Sequence, residues 1–295
     1  MSAEPAIASP GLSSPASPYR RLRVSRYMPH FGAWIEGVDL AAPFDAETGA
    51  ELRRAMLEHG VVFLRNQGRL TAQRHAELSH VIGNGPSAGN AYVAKHSEHP
   101  GVELLVAEPD RRTGADRWHS DITWRATPPL ATLIQLQELP PVGGDTIWAS
   151  ATMAWDWMSD ALKRCIDGLT AVHALQLPYI TPAQHADTEY LEAYLQRMRT
   201  TPPVEHPVVM RHPITGRKSL FVNETFTRAI LGLNPIESDG LLRLLFNWLK
   251  RPEFLLRHKW EPDGIALWDN YAVQHYAVDD YGAARRVNQR VTINL

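Results

Sequence analysis

The spacing of hydrophobic and polar positions places helices in the first third of this chain. "DAETGAELRRAMLEHG" has apolar residues at helical spacing behind Asp45, a suitable N-cap, and leads directly into the continuous apolar strand "VVFLRN". A second helix is predicted at "TAQRHAELSHVIG". Residues 84–117 are rich in Gly, Asn, Pro and charge, which predicts a segment dominated by loops.

From residue 118 onward the pattern is mostly that of strands, with predicted helices around 152–168, 187–199 and 235–250. Strands without regular helical crossovers favour an antiparallel sandwich or barrel with helices packed outside. The predicted strands are "WHSDITW", "ATLIQLQEL", "DTIWAS", "HPVVMRHP", "KSLFVN", "FLLRHKW", "GIALWDN" and "VNQRVTINL".

Composition narrows the class of protein. The 295 residues are 44% hydrophobic and 21% charged with a net charge of −2, as in an ordinary globular chain, and no basic run suggests nucleic acid or an acidic membrane as partner. No apolar run reaches the length of a membrane span. The single cysteine, Cys165, excludes an intramolecular disulfide, favours a cytoplasmic location and is expected to be packed.

The N-terminal residues differ in composition from the rest. Residues 1–18 are small residues and prolines without a basic start or apolar core, so we expect a flexible tail and no signal peptide. Residues 19–295 are then expected to form a single domain.

The first candidate for chemistry is "WHSDITW", residues 118–124. On a strand, side chains alternate between faces, so His119, Asp121 and Thr123 would share one face. Polar strand faces usually meet solvent, so this pattern alone favours a solvated edge over a metal site.

The C-terminal strand supplies a second candidate. In "RRVNQRVTINL", Arg286, Asn288 and Arg290 alternate with apolar or uncharged residues. This predicts either an edge strand with a charged outer face, or a barrel strand whose guanidinium groups bind carboxylates inside a cavity.

His275 lies a short connection before these arginines and completes a possible metal site. With His119 and Asp121 it makes a set of two histidines and one carboxylate, which suits non-haem Fe(II) because three coordination positions stay open. Zinc accepts the same ligands, but two inward arginines favour an anionic co-substrate over metal-assisted hydrolysis.

Several blocks, in order, resemble a known family. "WHSDITWRATPP", "PVGGDTIWAS", "EHPVVMRHPITGRKSLFVNETFTR" and "GIALWDNYAVQHYAVDDYGAARRVNQRVTI" closely resemble the taurine dioxygenase (TauD/TfdA-like) family of Fe(II)/2-oxoglutarate-dependent oxygenases. The resemblance runs from about residue 22 to the C-terminus. It implies a mostly β fold with flanking helices and a double-stranded β-helix (jelly roll) core.

The resemblance also implies an activity. Fe(II), 2-oxoglutarate and O2 would hydroxylate a small anionic substrate, most consistently a sulfonate or alkyl sulfate, with release of succinate and CO2. Collapse of the product would give an aldehyde plus sulfite or sulfate. Family members commonly self-associate, so a homodimer or homotetramer is expected.

Residue roles carry over by position. The iron ligands would be His119, Asp121 and His275, and the distal carboxylate of 2-oxoglutarate would meet Thr146 and Arg286. The resemblance places Arg290, Phe226, Tyr179, Tyr92 and the backbone N–H of Ile122 at the substrate.

Two departures from the family pattern concern the substrate. Tyr92 and Lys95 stand roughly where taurine-specific members have a histidine and a tyrosine, and the asparagine expected before "WH" is missing. The groups that recognise taurine's amine are therefore not retained, which leaves alkylsulfonates, alkyl sulfates or aryloxyalkanoate-type carboxylates.

Two alternatives of other classes fit the same residues. A non-catalytic binding protein for small anions would bind its ligand without consuming oxygen, and a zinc-dependent hydrolase would work anaerobically. The complete set of two histidines and a carboxylate favours the oxygenase over both, because a binding protein has no need of open metal positions.

Overall fold

The structure is a computed structural model that describes residues 18–88, 94–109, 114–175 and 187–295. Residues 1–17 of the predicted tail lie outside these ranges, so the tail stays a prediction. Tyr92 and Tyr179 also lie outside the described residues.

Capping residues mark where three of the helices begin. Asp45 and Thr71 cap the first two helices as N-cap residues, and Asn234 forms a capping box with Glu237 at the last. None of the helices in the described ranges combines the length and apolarity of a membrane span. The helices are α1 (Ala46–His59), α2 (Ala72–Ile82), α3 (Ala151–Asp156), α4 (Asp160–Ile166), α5 (Thr188–Thr200) and α6 (Pro235–Leu249), with a 3-10 turn at Pro252–Phe254.

These bounds confirm the predicted helices except that one of them is divided, and the structure also corrects the expected burial of Cys165. The helix expected at 152–168 is two helices, because Ser159 caps α4 and interrupts the run. Cys165 is exposed, so the expectation of a packed thiol was wrong.

The strands dominate the chain after residue 94. They are β1 (Arg23–Arg26), β2 (Ala33–Glu36), β3 (Val61–Leu64), β4 (Ala94–Lys95), β5 (Val102–Ala107), β6 (Ala131–Glu138), β7 (Thr146–Ser150), β8 (Thr170–His173), β9 (Val204–Pro207), β10 (Val209–Arg211), β11 (Lys218–Leu220), β12 (Thr227–Ile230), β13 (Leu255–His258), β14 (Ile265–Asp269), β15 (Val273–Ala277) and β16 (Arg286–Ile293).

Within the described ranges the strands form one large sheet and three small ones. The eight-stranded sheet has the order β1-β2-β3-β14-β6-β16-β5-β4, and all its neighbours are antiparallel except β2 and β3, which α1 connects. The small sheets have the orders β13-β7-β15, β12-β8-β9 and β10-β11. Strand β16 lies inside the large sheet between β6 and β5, and all eight of its residues are buried.

The core lies between the large sheet and the small sheet that contains β7. Phe63 of β3 stacks on His258 of β13 with ring centroids 4.2 Å apart, and Trp148 of β7 meets Trp268 of β14 at 5.7 Å. Helices α1 and α2 cover the outer face of the large sheet, where Leu52 joins a second apolar cluster. The result is a jelly roll with flanking helices, as expected from the sequence.

Two strands, β4 and β5, lie within the segment predicted to be loops. Strand β5 lies within residues 84–117 and pairs with β16 over Arg286 to Val291. Its burial pattern does not alternate cleanly, so the period-2 signal of a strand is weak there.

Buried histidines make stability dependent on pH. Burial lowers the pKa of His75 and His258 from 6.5 to about 4, so both are neutral in the folded protein. The unfolded chain binds more protons below pH 6.5, so their contribution to stability is complete above that pH and is lost as the pH falls towards 4. At pH 5 the free energy of unfolding should be lower by about 2 kcal/mol for each.

His258→Phe tests this effect, because the stacking on Phe63 is kept and the titrating group is removed. Between pH 7 and pH 5, we expect the free energy of unfolding of the variant to fall by about 2 kcal/mol less than that of the wild type. Urea unfolding at both pH values measures this, with the exposed His30→Gln as control. An unchanged pH dependence in His258→Phe would contradict the assignment.

Candidate active site

Three candidate metal ligands converge in the core. His119, Asp121 and His275 each offer one ligand atom within 4.8 Å of the others, and all three are buried. Nε2 of His119 lies 3.9 Å from Oδ1 of Asp121. The structure therefore brings together the set that the sequence suggested.

A short backbone bridge holds the two histidines side by side. The N–H of His119 donates to the carbonyl of His275 at 3.1 Å, and the N–H of His275 donates back at 2.8 Å. Nδ1 of His119 lies 2.7 Å from the carbonyl of Arg117 and must donate to it, which leaves the lone pair on Nε2 for a metal.

The prediction that "WHSDITW" is a strand was wrong. Pairing is limited to the single bridge at His119, and residues 121–124 form a turn in which Ile122 has φ 55°. This left-handed conformation is unfavourable for a β-branched residue, costing on the order of 1–3 kcal/mol. Thr123 consequently does not share a face with His119 and Asp121.

A buried polar network holds this turn. Oγ1 of Thr123 accepts from Nδ2 of Asn223 at 3.0 Å and lies 3.0 Å from Nδ1 of His173. Nε2 of His206 lies 2.9 Å from the carbonyls of both Thr123 and Arg125. These contacts keep the strained backbone of Ile122 in place.

Both oxygens of Asp121 have defined partners. Oδ2 accepts from the hydroxyl of Thr132 at 2.7 Å, and that hydroxyl oxygen accepts from Nδ2 of Asn270 at 3.0 Å. Oδ1 faces His119 and lies 3.3 Å from Nη1 of Arg290. Burial acts to raise the pKa of Asp121, but the charge of Arg290 and the other contacts bring it below its ordinary value, so the carboxylate is ionised.

The histidines are neutral. Burial, and after it the proximity of His119, lowers the pKa of His275 to about 3. Burial also lowers the pKa of His119. One carboxylate and two neutral imidazoles are what a divalent metal requires of this ligand set.

A cavity next to the triad has polar atoms that lack partners. Within the described part of the chain, Nε of Arg286, Oδ1 of Asn288, Nε1 of Trp148 and Nδ1 of His275 are buried without a hydrogen bond. Buried polar atoms are normally paired, so this cavity is suited to a polar ligand. It is lined by Leu105, Ala115, His119, Ile134, Thr146, Trp148, Trp260, Trp268, His275, Ala277, Arg286, Asn288 and Arg290.

The two residues assigned to 2-oxoglutarate by resemblance both line this cavity. Oγ1 of Thr146 accepts from Nε1 of Trp260 at 2.9 Å, an interaction that nothing in the sequence indicated. A Cβ on Gly144, which has φ 73°, would lie 2.9 Å from Pro140 and 3.5 Å from Nε of Arg286. The positive φ and the close approach to Pro140 therefore require glycine at this turn, which lies beside Arg286.

Arg290 is buried between two carboxylates. It lies opposite Glu103 of β5, and Oε2 of that residue accepts from Nε at 2.8 Å and from Nη2 at 2.6 Å. The third contact is that of Nη1 with Asp121. The sequence analysis missed Glu103, because it lies in the segment predicted to be loops.

The expected substrate side is apolar. Ile122 and Phe226 belong to one cluster with Trp124, Leu175 and Met198, and the ring of Phe226 lies 6.2 Å from that of His119. The structure thus brings Phe226 and the side chain of Ile122 close to the triad.

The fold and the site together define a class: a jelly roll with a buried two-histidine, one-carboxylate set beside an arginine-lined cavity is a non-haem iron oxygenase. A family model described as taurine catabolism dioxygenase TauD, TfdA family, matches residues 23–292, and the chain belongs to that family. The protein is therefore a 2-oxoglutarate-dependent dioxygenase.

Individual relatives agree with this assignment. An alkylsulfatase from Acinetobacter baylyi is 32% identical over 282 residues, which cover 94% of this chain and 86% of the relative. An alpha-ketoglutarate-dependent sulfate ester dioxygenase from Pseudomonas putida is 33% identical, with 89% and 86% covered. The crystal structure of a taurine dioxygenase from Burkholderia xenovorans is 32% identical, with a TM-score of 0.77 and 93% and 91% covered.

Thr132→Val should weaken metal binding without removing a ligand. The variant loses the hydrogen bond to Oδ2 of Asp121, and loss of such a supporting contact typically lowers metal affinity about 10–100-fold. Anaerobic titration with Fe(II) in the presence of 2-oxoglutarate, followed by the weak visible charge-transfer band, measures this affinity. Asp121→Ala should abolish the band, and an unchanged affinity in Thr132→Val would show that the hydroxyl does not support the ligand.

Proposed function

We propose that this chain hydroxylates a small sulfate monoester or sulfonate at a carbon next to the sulfur-bearing group. Hydroxylation of an alkyl sulfate at the carbon bearing the ester oxygen gives a product that collapses to an aldehyde and sulfate. A sulfonate would give an aldehyde and sulfite. The names of the relatives from Acinetobacter baylyi and Pseudomonas putida support a sulfate ester over a sulfonate.

The metal and the co-substrate are assigned to two adjoining groups of residues. His119, Asp121 and His275 would hold Fe(II), and Arg286 with Thr146 would bind the distal carboxylate of 2-oxoglutarate. The unpaired Nε of Arg286 supports this role, since a buried N–H without an acceptor is costly and a carboxylate satisfies it. When bound, iron with 2-oxoglutarate supplies the oxidation of a substrate C–H bond by O2.

The observation that carries the substrate assignment is the contact between Arg290 and Asp121. Nη1 of Arg290 lies 3.3 Å from the Asp121 oxygen that faces His119. An anion bound to this guanidinium is therefore next to the metal ligands, and the carbon attached to it is close to the reacting position. Arg290 would hold the substrate with its reacting carbon near the metal site, which lowers the entropic cost of bringing the reacting groups together.

The remaining walls exclude water from the reaction. Ile122, Trp124 and Phe226 form an apolar surface beside His119, suited to the alkyl part of the substrate. An apolar wall also keeps solvent from the site, which strengthens the electrostatic contacts of Arg290.

Two further expectations stay proposals. The single cysteine supports a cytoplasmic location, and self-association is expected from the resemblance. Tyr92 and Tyr179 stay candidates for the substrate pocket.

The substrate assignment is tested with a panel of linear alkyl sulfates, alkanesulfonates and aryloxy acids. We expect succinate to form fastest with an alkyl sulfate, with one sulfate released per succinate. Arg290→Gln should raise KM for that substrate about 30-fold or more, because a buried charged partner is lost. Fast succinate formation with aryloxy acids alone would overturn the proposal.

Arg286→Gln separates co-substrate binding from substrate binding. The variant should raise KM for 2-oxoglutarate about 30-fold or more. Arg285→Gln is the matched control, since Arg285 lies next to it but forms surface ion pairs with Glu108 and Glu138. Equal effects of the two substitutions would contradict the assignment of Arg286.

A further inference from the structure

The partner of Arg290 on β5 is assigned no role in binding metal or co-substrate, yet it is completely buried. Glu103 is 0% exposed. A single oxygen, Oε2, accepts both the Nε and the Nη2 hydrogen bonds of Arg290. A buried carboxylate is retained only where its partner compensates the loss of hydration, and Arg290 provides that compensation.

The hydrogen bonds to Glu103 and Asp121 determine which N–H groups of Arg290 remain for a ligand. Glu103 takes one N–H of Nε and one of Nη2, and Asp121 takes one of Nη1. A guanidinium has five N–H donors, so among the described residues one N–H on each Nη is left. Glu103 therefore orients Arg290 so that the end of its guanidinium group can bind an oxyanion.

The same pairing limits the positive charge of the site. Arg286 and Arg290 carry two positive charges, and Asp121 and Glu103 carry two negative ones, so these four side chains sum to zero. Arg125, which is partly buried and whose charge interacts with that of Glu103, adds one positive charge. A divalent metal with doubly charged 2-oxoglutarate adds no net charge. The site thus balances one negative charge on a substrate, whereas each further charge meets repulsion from Glu103 that water screens little.

We propose that Glu103 is a specificity-determining residue that restricts the anion site to monoanions. Sulfate monoesters and sulfonates carry one charge at neutral pH. Phosphate monoesters have a similar tetrahedral shape but carry a second charge above a pKa of about 6. The inference rests on the proposed function, because it assumes that Arg290 binds the substrate anion.

Two variants separate the charge of Glu103 from its geometry. Glu103→Gln keeps an oxygen at the same reach, and one oxygen suffices for both hydrogen bonds, so Arg290 stays oriented while the negative charge is lost. Glu103→Asp keeps the charge but withdraws the oxygen by one methylene. The matched control is Glu108→Gln, which removes the same charge from a surface ion pair with Arg285.

The measurement is binding by anaerobic calorimetry to enzyme loaded with Fe(II) and 2-oxoglutarate. The probes are methanesulfonate, a monoanion, and methyl phosphate, a dianion at pH 7.5. We expect the wild type and Glu108→Gln to prefer methanesulfonate, and Glu103→Gln to reduce this preference about tenfold or more. Glu103→Asp should keep the preference while both ligands bind more weakly.

A second measurement does not depend on the variants. At pH 5.5 methyl phosphate is mostly a monoanion, so its affinity for the wild type should approach that of methanesulfonate measured at the same pH. If Glu103→Gln retains the wild-type preference, or if methyl phosphate gains nothing at pH 5.5, the inference is wrong.

The outcomes distinguish this inference from the proposed function. Selective binding of methanesulfonate without turnover of any sulfate ester or sulfonate would overturn the proposed function and support the role of Glu103. Binding of neither probe by the wild type would overturn the role of Glu103, whether or not the charge-transfer band forms.

Discussion

Two backbone hydrogen bonds between His119 and His275 are the constraint on which the rest of the site depends. They join an irregular segment to β15, and they place the two imidazole rings 4.2 Å apart. Strand β15 pairs in turn with β7, where Ala277 lies opposite Thr146. The two histidines of the candidate metal site and Thr146 therefore belong to one ladder, and their separation is determined by strand register and not by side-chain flexibility.

The turn after His119 shows why a regular strand cannot form this site. Side chains two residues apart on a strand stand parallel, about 6.5 Å from each other, whereas His119 and Asp121 must point at one ion. The chain leaves the strand geometry after the bridge at His119, and the carboxylate of Asp121 lies 3.9 Å from Nε2 of His119. The left-handed backbone of Ile122 continues this turn. The network around Thr123 compensates for the strain, which is how unfavourable backbone persists at functional sites.

The sequence predicts what depends on local patterns and misses what depends on distant partners. The polar face of β16, with Arg286 and Arg290, follows from a period of two, and the helix starts follow from capping residues such as Asp45. Glu103 was missed because β5 is a strand only through its pairing with β16 and β4, which lie far away in sequence or are very short. The turn at Ile122 was missed because a β-branched residue between aromatic residues is typical of a strand.

The two arginines of β16 illustrate how one buried strand serves two ligands. Both are nearly inaccessible, at 6% for Arg286 and 8% for Arg290, so each requires compensation for lost hydration. Arg290 receives it within the protein, from Glu103 and Asp121. Burial lowers the pKa of Arg286, whose Nε has no partner among the described residues. Tyr281 and Asp279 offset part of the cost of burying Arg286, but the N–H at Nε stays unpaired. A carboxylate that accepts from it would stabilise the fold as it binds.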